Sequence, residues 1–128
     1  KCALPKRPVV CFTGDAGFWY HIAEIEVAVR WGIHSITVVN NNSGGNQSKR
    51  GFDRAYGGVQ TDKARELWTF RPTDFAAIAT TMGAVGFRVE TPSELKSTLE
   101  KAYKLKAAVV IDVVTDIEAL APVAYAAE

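Results

Sequence analysis

The alternation of short β-branched apolar runs with helically spaced segments constrains this chain more than any other feature of its sequence. Pro8 to Thr13 (PVVCFT) is a nearly continuous apolar run closed by Gly14, the pattern of a buried strand. A turn is expected over Gly14 to Gly17. From Phe18 the period lengthens. Phe18, Ile22, Ile25 and Val29 fall at helical spacing, Glu24, Glu26 and Arg30 lie on other faces, and Gly32 stands where a helix C-cap belongs. That spacing gives a helix of about 14 residues. Ser35 to Val39 (SITVV) is again apolar and β-branched, so the segment reads strand, helix, strand, with both strands buried as in a parallel sheet.

Residues 40–66 are rich in Asn, Gly and charge without a sustained period, and are expected to form one long functional or mobile loop. Thr73 or Asp74 can then cap a helix running to about Met82, and Phe87 to Glu90 gives a short strand. Thr91-Pro92-Ser93-Glu94 is a capping box with Pro at the first helical position. It opens a helix to about Leu105 with Leu95, Leu99, Ala102 and Leu105 on one face. Ala108 to Val114 is a last strand. The series predicts a doubly wound α/β fold, a mostly parallel sheet with helices on both faces, whose ligands bind at the carboxyl ends of the strands.

Composition narrows the function classes. At 128 residues and 48% apolar, the chain has material for one core and one domain. Fifteen basic against 14 acidic residues leave a net charge of +1 with no basic patch, which argues against nucleic acid. No apolar run approaches the ~20 residues of a bilayer span, and no leader opens the chain, so a cytoplasmic, soluble protein is expected. Cys2 and Cys11 lack metal-ligand spacing, and Cys11, inside the first apolar run, is expected to be a buried free thiol. Lys1 to Pro8 reads as a helix end and turn with no start signal before it, so the 128 residues are expected to be one domain of a larger chain.

The two strands and their crossover bring particular residues together. A helix of about 14 residues climbs about 21 Å along the sheet, and a turn plus a strand returns about 20 Å. A right-handed crossover therefore sets Asp15 and the run Asn40-Asn41-Asn42 on the same sheet edge, on strands that can be neighbours. Gly14, Ala16 and Gly17 let backbone N–H groups approach a ligand, and the following helix adds the positive end of its dipole, which suits a diphosphate. A carboxylate from Asp15, an amide oxygen from Asn42 and the carbonyl of Gly44 are hard oxygen ligands of the kind Mg²⁺ takes. Read singly, Gly-Asp is an ordinary N-cap and an Asn run an ordinary turn. Their joint placement is what points to a site.

Gly14-Asp15-Ala16-Gly17-Phe18 followed by Asn41-Asn42 resembles the two-part motif of thiamine diphosphate-dependent enzymes, which opens Gly-Asp-Gly or Gly-Asp-Ala and closes with Asn-Asn. Glu24-Ile25, Ala28 to Gly32, Asp74-Phe75 with Ala79 and Gly83, and Glu94-Leu95 extend the resemblance over nearly the whole chain. It is nearest to the C-terminal, diphosphate-binding domain of the acetolactate synthase-like branch of carboligases and 2-oxo acid decarboxylases. The resemblance implies thiamine diphosphate and Mg²⁺ as cofactors, and leaves FAD open. It implies Asp15, Asn42 and the Gly44 carbonyl as metal ligands, with Gly14, Ala16, Gly17, Gly45 and Asn46 beside the cofactor. Gly17 stands where Ser is commoner, Ser43 and Asn46 fall in a loop that varies among branches, and Asn40 makes a triple Asn where an apolar residue usually precedes the pair. The resemblance further implies a small 2-oxo acid substrate and a homodimer or homotetramer. The activating Glu would come from a pyrimidine-binding domain of the same or a partner subunit. No catalytic residue is assigned within these residues, and the chain alone is expected to be inactive.

Two other function classes compete. A nicotinamide-binding Rossmann domain would need G-x-G-x-x-G and an acidic residue ending the second strand, and neither is present. A non-enzymatic Mg²⁺-binding α/β module of the receiver kind would need more than the one well-placed carboxylate. His21 and His34 lack a third metal ligand at suitable spacing. Trp19 and Tyr20 are expected to pack in the core or line the substrate side, and Lys49, Arg50, Asp53, Arg54 and Lys63 to form a solvated face or a lid.

Overall fold

The computed structural model describes residues 1–119. Its four strands are β1 (Val10–Gly14), β2 (Ile36–Asn41), β3 (Val85–Val89) and β4 (Val109–Val114). They form one sheet in the order β1-β2-β4-β3, and every pair is parallel. The connecting helices are α1 (Asp15–His21), α2 (Ala23–Arg30), α3 (Asn46–Ala55), α4 (Asp62–Glu66), α5 (Phe75–Thr81) and α6 (Pro92–Lys104).

The two central strands, β2 (ITVVNN) and β4 (VVIDVV), are buried over most of their length because helices cover both of their faces. On one face Val39 and Val110 pack with Phe18, Ile25, Phe75 and Ala79, which come from α1, α2 and α5. On the other, Ile36, Val38, Val109 and Ile111 meet Ala102 of α6, with Leu95 and Leu99 beside them. Val39, Val109, Val110 and Ile111 are at most 1% exposed, and burying each such side chain contributes roughly 1.5–3 kcal/mol. At Gly86 on β3, any Cβ would run into the backbone of Ala76, so glycine there is what lets α5 settle directly on the sheet. The doubly wound architecture expected from the sequence is therefore present.

Several boundaries differ from expectation. The first helix begins at Asp15 rather than Phe18, with Gly14 as its N-cap, and it breaks at Ile22 into α1 and α2. Gly32 ends α2 as expected: it sits at φ +59°, and the next N–H, of Ile33, returns to the Ala28 carbonyl at 2.8 Å. Residues 40–66 are not one loop, since they contain α3 and α4. Both helices bury no residue, so no apolar stripe marked them. Of the two candidate caps, Asp74 is the one used, accepting from the Ala77 N–H at 2.8 Å. In α6, Glu94 reaches back to the Thr91 N–H at 3.2 Å, the reciprocal half of the expected box. The third strand starts two residues before Phe87, at Val85.

The expectation of a buried first strand fails. β1 lies at the sheet edge beside β2 alone, Phe12 is 74% exposed, and Cys11 is exposed rather than buried. An apolar run identifies a strand but not whether something covers it. Trp19 packs edge-on against Phe75, with ring centroids 5.1 Å apart, whereas Tyr20 points to solvent at 84% exposure.

Candidate functional site

β1 and β2 are paired in register, with Gly14 opposite Asn40, so both strands deliver their following residues to the same sheet edge. Asp15 is the first residue of α1 and is buried. One of its oxygens accepts the Ala16 N–H at 2.7 Å, and the other accepts the Gly44 N–H at 3.0 Å. That second bond joins the two turns across 29 residues and sets a carboxylate against the backbone of Gly44. A negative charge at a helix N-terminus is stabilised by the helix dipole. Each carboxylate oxygen has a further lone pair beyond the N–H it holds.

The loop after β2 is held from the other side by the segment following α4. Gly45 donates to the Trp68 carbonyl at 2.6 Å, and Phe70 donates to the Ser43 carbonyl at 2.8 Å. Packing is tight enough that a Cβ on Gly44 would lie 2.7 Å from Ile117 and 3.0 Å from the Trp68 carbonyl. A Cβ on Gly17 would lie 2.6 Å from the Thr13 hydroxyl. Ser43 adopts φ +55°, a left-handed conformation uncommon outside glycine, and it turns the chain sharply between Asn42 and Gly44.

The three asparagines do three different things. Asn40 accepts from the Thr115 hydroxyl at 2.7 Å. Asn41 is buried and fully engaged: its amide nitrogen donates to Asp112 at 2.8 Å and to the Thr73 carbonyl at 2.9 Å, and its oxygen accepts the Ser43 N–H at 3.3 Å. Asn42 buries its side-chain oxygen with no hydrogen-bond partner, and Asn46, the first residue of α3, does the same. Leaving a buried oxygen unpaired costs about 1–3 kcal/mol, so two of them at one turn mark where a cation or a donor fits. Asp15, Asn42, Gly44, Gly45 and Asn46 thus lie within one pair of turns, and Gly14, Ala16 and Gly17 form the start of α1 beside them. The donor set suits Mg²⁺: one carboxylate and one unpartnered amide oxygen, both hard ligands, with the start of α3 adding N–H groups for an anion. Among the described residues, no three His, Cys, Asp or Glu side chains cluster as a metal site, which leaves His21 and His34 outside any such group.

The sequence reading passed over Asp112. This carboxylate is fully buried in β4 and accepts from Asn41, from the Phe75 N–H at 3.0 Å and from Arg88 at 2.8 Å. Burial pushes its carboxyl above the ordinary carboxylate range, against the opposing pull of the Asn41 amide, the Phe75 N–H and the Arg88 guanidinium. An acid inside the run Ala-Ala-Val-Val-Ile-Asp-Val was the available signal, because a buried carboxylate requires partners.

The charged stretch over α3 and α4 is partly a network and not a freely solvated face. Lys49 bridges Asp53 at 3.1 Å and Glu118 at 3.0 Å, and its ammonium lies 5.8 Å from the centre of the Trp68 ring. Gln60 links Asp53 at 2.6 Å to the Trp68 indole N–H at 2.9 Å. Hydrogen bonds donated to Glu118 and then to Asp53 raise the Lys49 pKa, while Gln60 and then Lys49 lower that of Asp53. Beside this network, Phe52, Tyr56, Val59 and Leu67 line an apolar cleft of about 390 Å³.

Fold and polar cluster define a parallel α/β ligand-binding domain whose polar side chains gather at the carboxyl ends of adjacent strands. Within that class the chain belongs to the thiamine pyrophosphate enzymes: the model of the "Thiamine pyrophosphate enzyme, C-terminal TPP binding domain" matches residues 1–113. The chain is 33% identical over 106 residues to the acetolactate synthase large subunit of Haemophilus influenzae, covering 83% of this chain and 18% of that protein. It is 34% identical over 121 residues to a 2-hydroxyacyl-CoA lyase of Oryza sativa, covering 89% and 20%. The solved benzoylformate decarboxylase of Polynucleobacter necessarius superposes with a TM-score of 0.77 at 28% identity, covering 91% of this chain and 21% of the other. The chain spans about a fifth of the length of the curated relatives it matches.

Proposed function

We propose that these residues anchor Mg²⁺ and the diphosphate of thiamine diphosphate in a larger enzyme acting on 2-oxo acids, of the acetolactate synthase-like kind. The observation that carries this reading is the buried, unpartnered Asn42 oxygen in the turn that Asp15 holds through the Gly44 N–H. Asp15, Asn42 and the Gly44 carbonyl would hold the cation. Gly14, Ala16, Gly17, Gly45 and Asn46 would surround the diphosphate, with the N–H groups at the starts of α1 and α3 facing its negative charge. When bound, the cofactor supplies nucleophilic addition to a carbonyl and a sink for the resulting charge. The residues of this chain bind and orient it. The family resemblance implies that the Glu activating the cofactor comes from a pyrimidine-binding domain of the same or a partner subunit in a homodimer or homotetramer, and the chain spans only about a fifth of its relatives. Both cysteines are free, which accords with a reducing, cytoplasmic compartment. Among the described residues no helix is long and apolar enough to cross a membrane.

In the full-length polypeptide, Asp15→Ala should weaken Mg²⁺-dependent binding of thiamine diphosphate by about 10–100-fold, the usual scale for losing a group that orders a metal site. Calorimetric titration at fixed Mg²⁺ measures it, and an unchanged affinity sinks the reading. A second reading, lyase action on a 2-hydroxyacyl thioester, is favoured by the 34% identity to the rice enzyme. Product analysis with pyruvate against a 2-hydroxyacyl-CoA separates the two.

A further inference from the structure

Asp112 lies within the interior strand β4, opposite Val39 of β2, and its bonds lead into the turn that follows β2. One of its oxygens receives the Asn41 amide, and the other receives Arg88 and the Phe75 N–H. The amide nitrogen of Asn41 has two hydrogens, and the second goes to the Thr73 carbonyl, so the amide cannot flip without facing a donor to a donor and an oxygen to an oxygen. With the nitrogen fixed, the Asn41 oxygen is left in one place, where it accepts the Ser43 N–H. Ser43 is the residue at φ +55° that reverses the chain between Asn42 and Gly44. Asp112, Asn41 and Ser43 thus form a continuous relay of hydrogen bonds that ends between Asn42 and Gly44.

We propose that Asp112 is a positioning residue for the cation site, acting through Asn41 to hold the turn that aims Asn42 and Gly44. This rests on the function proposed above. The relay requires a carboxylate because both oxygens of residue 112 must accept. An amide there turns its NH₂ to one of the two faces it must serve, and both carry only donors: Asn41 on one side, Arg88 and Phe75 on the other. Asp112→Asn keeps its oxygen toward the guanidinium, the stronger donor. Its nitrogen then opposes the Asn41 nitrogen, so Asn41 gives up the Thr73 and Ser43 bonds.

The test is a double-mutant cycle in the full-length polypeptide, with Mg²⁺ and thiamine diphosphate affinity read by calorimetry and thermal unfolding read in parallel without cofactor. Asp112→Asn and Asn41→Ala should each weaken Mg²⁺-dependent cofactor binding by about tenfold or more, and the double variant should lose little beyond either single one, as for two members of one relay. Arg88→Met removes a partner from the same carboxylate without touching Asn41. It should lower the unfolding temperature while leaving cofactor affinity within about twofold. Additive losses in the cycle, an unchanged affinity in Asp112→Asn, or affinity losses that track the unfolding temperature across all three variants would overturn the proposal. If Asp15→Ala abolishes binding while Asp112→Asn does not, the relay fails and the anchor stands. If Asp15→Ala is also silent, the anchor itself fails.

Discussion

The interior beneath β4 and the turn after β2 meet at neighbouring residues, Asn41 and Asn42, yet they treat buried polar groups in opposite ways. Beneath β4, the fully buried Asp112 has three donors, and the amide of Asn41 is bonded through both its nitrogen and its oxygen. In the turn, Asn42 and Asn46 bury oxygens that receive nothing. Buried polar groups in folded proteins are nearly always satisfied. The contrast therefore separates a framework whose buried polar groups are satisfied from a turn that keeps two buried oxygens unpaired. The two regions are joined by the bond from the Ser43 N–H to the Asn41 oxygen, so the unsatisfied turn is built upon the satisfied region.

The largest effect should come from Asp112→Ala. It leaves an N–H of the buried Asn41 amide and the Phe75 N–H without an acceptor, at about 1–3 kcal/mol each, while Arg88, a third exposed, keeps Glu90. Urea denaturation followed by circular dichroism measures this, and a loss below about 1 kcal/mol would mean the framework is not where stability resides. Asn42→Ala should behave in the opposite way. Without cofactor its stability should stay level or rise by about 1 kcal/mol, because an unpaired buried oxygen is removed, while Mg²⁺-dependent cofactor affinity falls. A large loss of unliganded stability would place Asn42 in the framework and break the comparison. The smallest effect belongs to Glu94, at the exposed rim of the framework. Its carboxyl lies below the ordinary carboxylate range, chiefly through the Thr91 side chain and then the Thr91 and Glu90 N–H groups. A depressed carboxylate adds stability that is present above its unfolded pKa and lost as pH falls through the folded value. The melting temperatures of the native protein and of Glu94→Gln should therefore differ at neutral pH and converge as the pH falls below about 4.5, the ordinary glutamate value. A constant gap across that window would remove the carboxylate from the cap.

Legibility in the sequence followed burial. β2, β4 and α6 were readable because each presents an apolar pattern that the core uses, and the Thr91 to Glu94 box announced the start of α6. α3 and α4 were not, since helices that bury nothing carry no stripe. β1 was recognised as a strand, but its exposure was misjudged, because β-branched residues report strand geometry and not what lies across the face. Asp15 and Asn42 stand out in the sequence by their place at strand ends. The choice of Asn42 over Asn41 comes from the motif resemblance and not from the local pattern of residues. Which of two adjacent asparagines turns inward depends on the pleat of β2 and on an acid 71 residues later, and no local pattern encodes that pairing.

The length of that loop has a kinetic consequence. The Asn41–Asp112 bond cannot form until β4 inserts between β2 and β3, the last insertion in chain order and one closed only over a long span. The turn after β2 is therefore expected to become ordered late, after the sheet is assembled. A folding intermediate lacking β4 would keep its strands β1 and β2 but would have no means of aiming Asn42. Ligand binding would then report not merely that the chain has collapsed, but that it has finished folding.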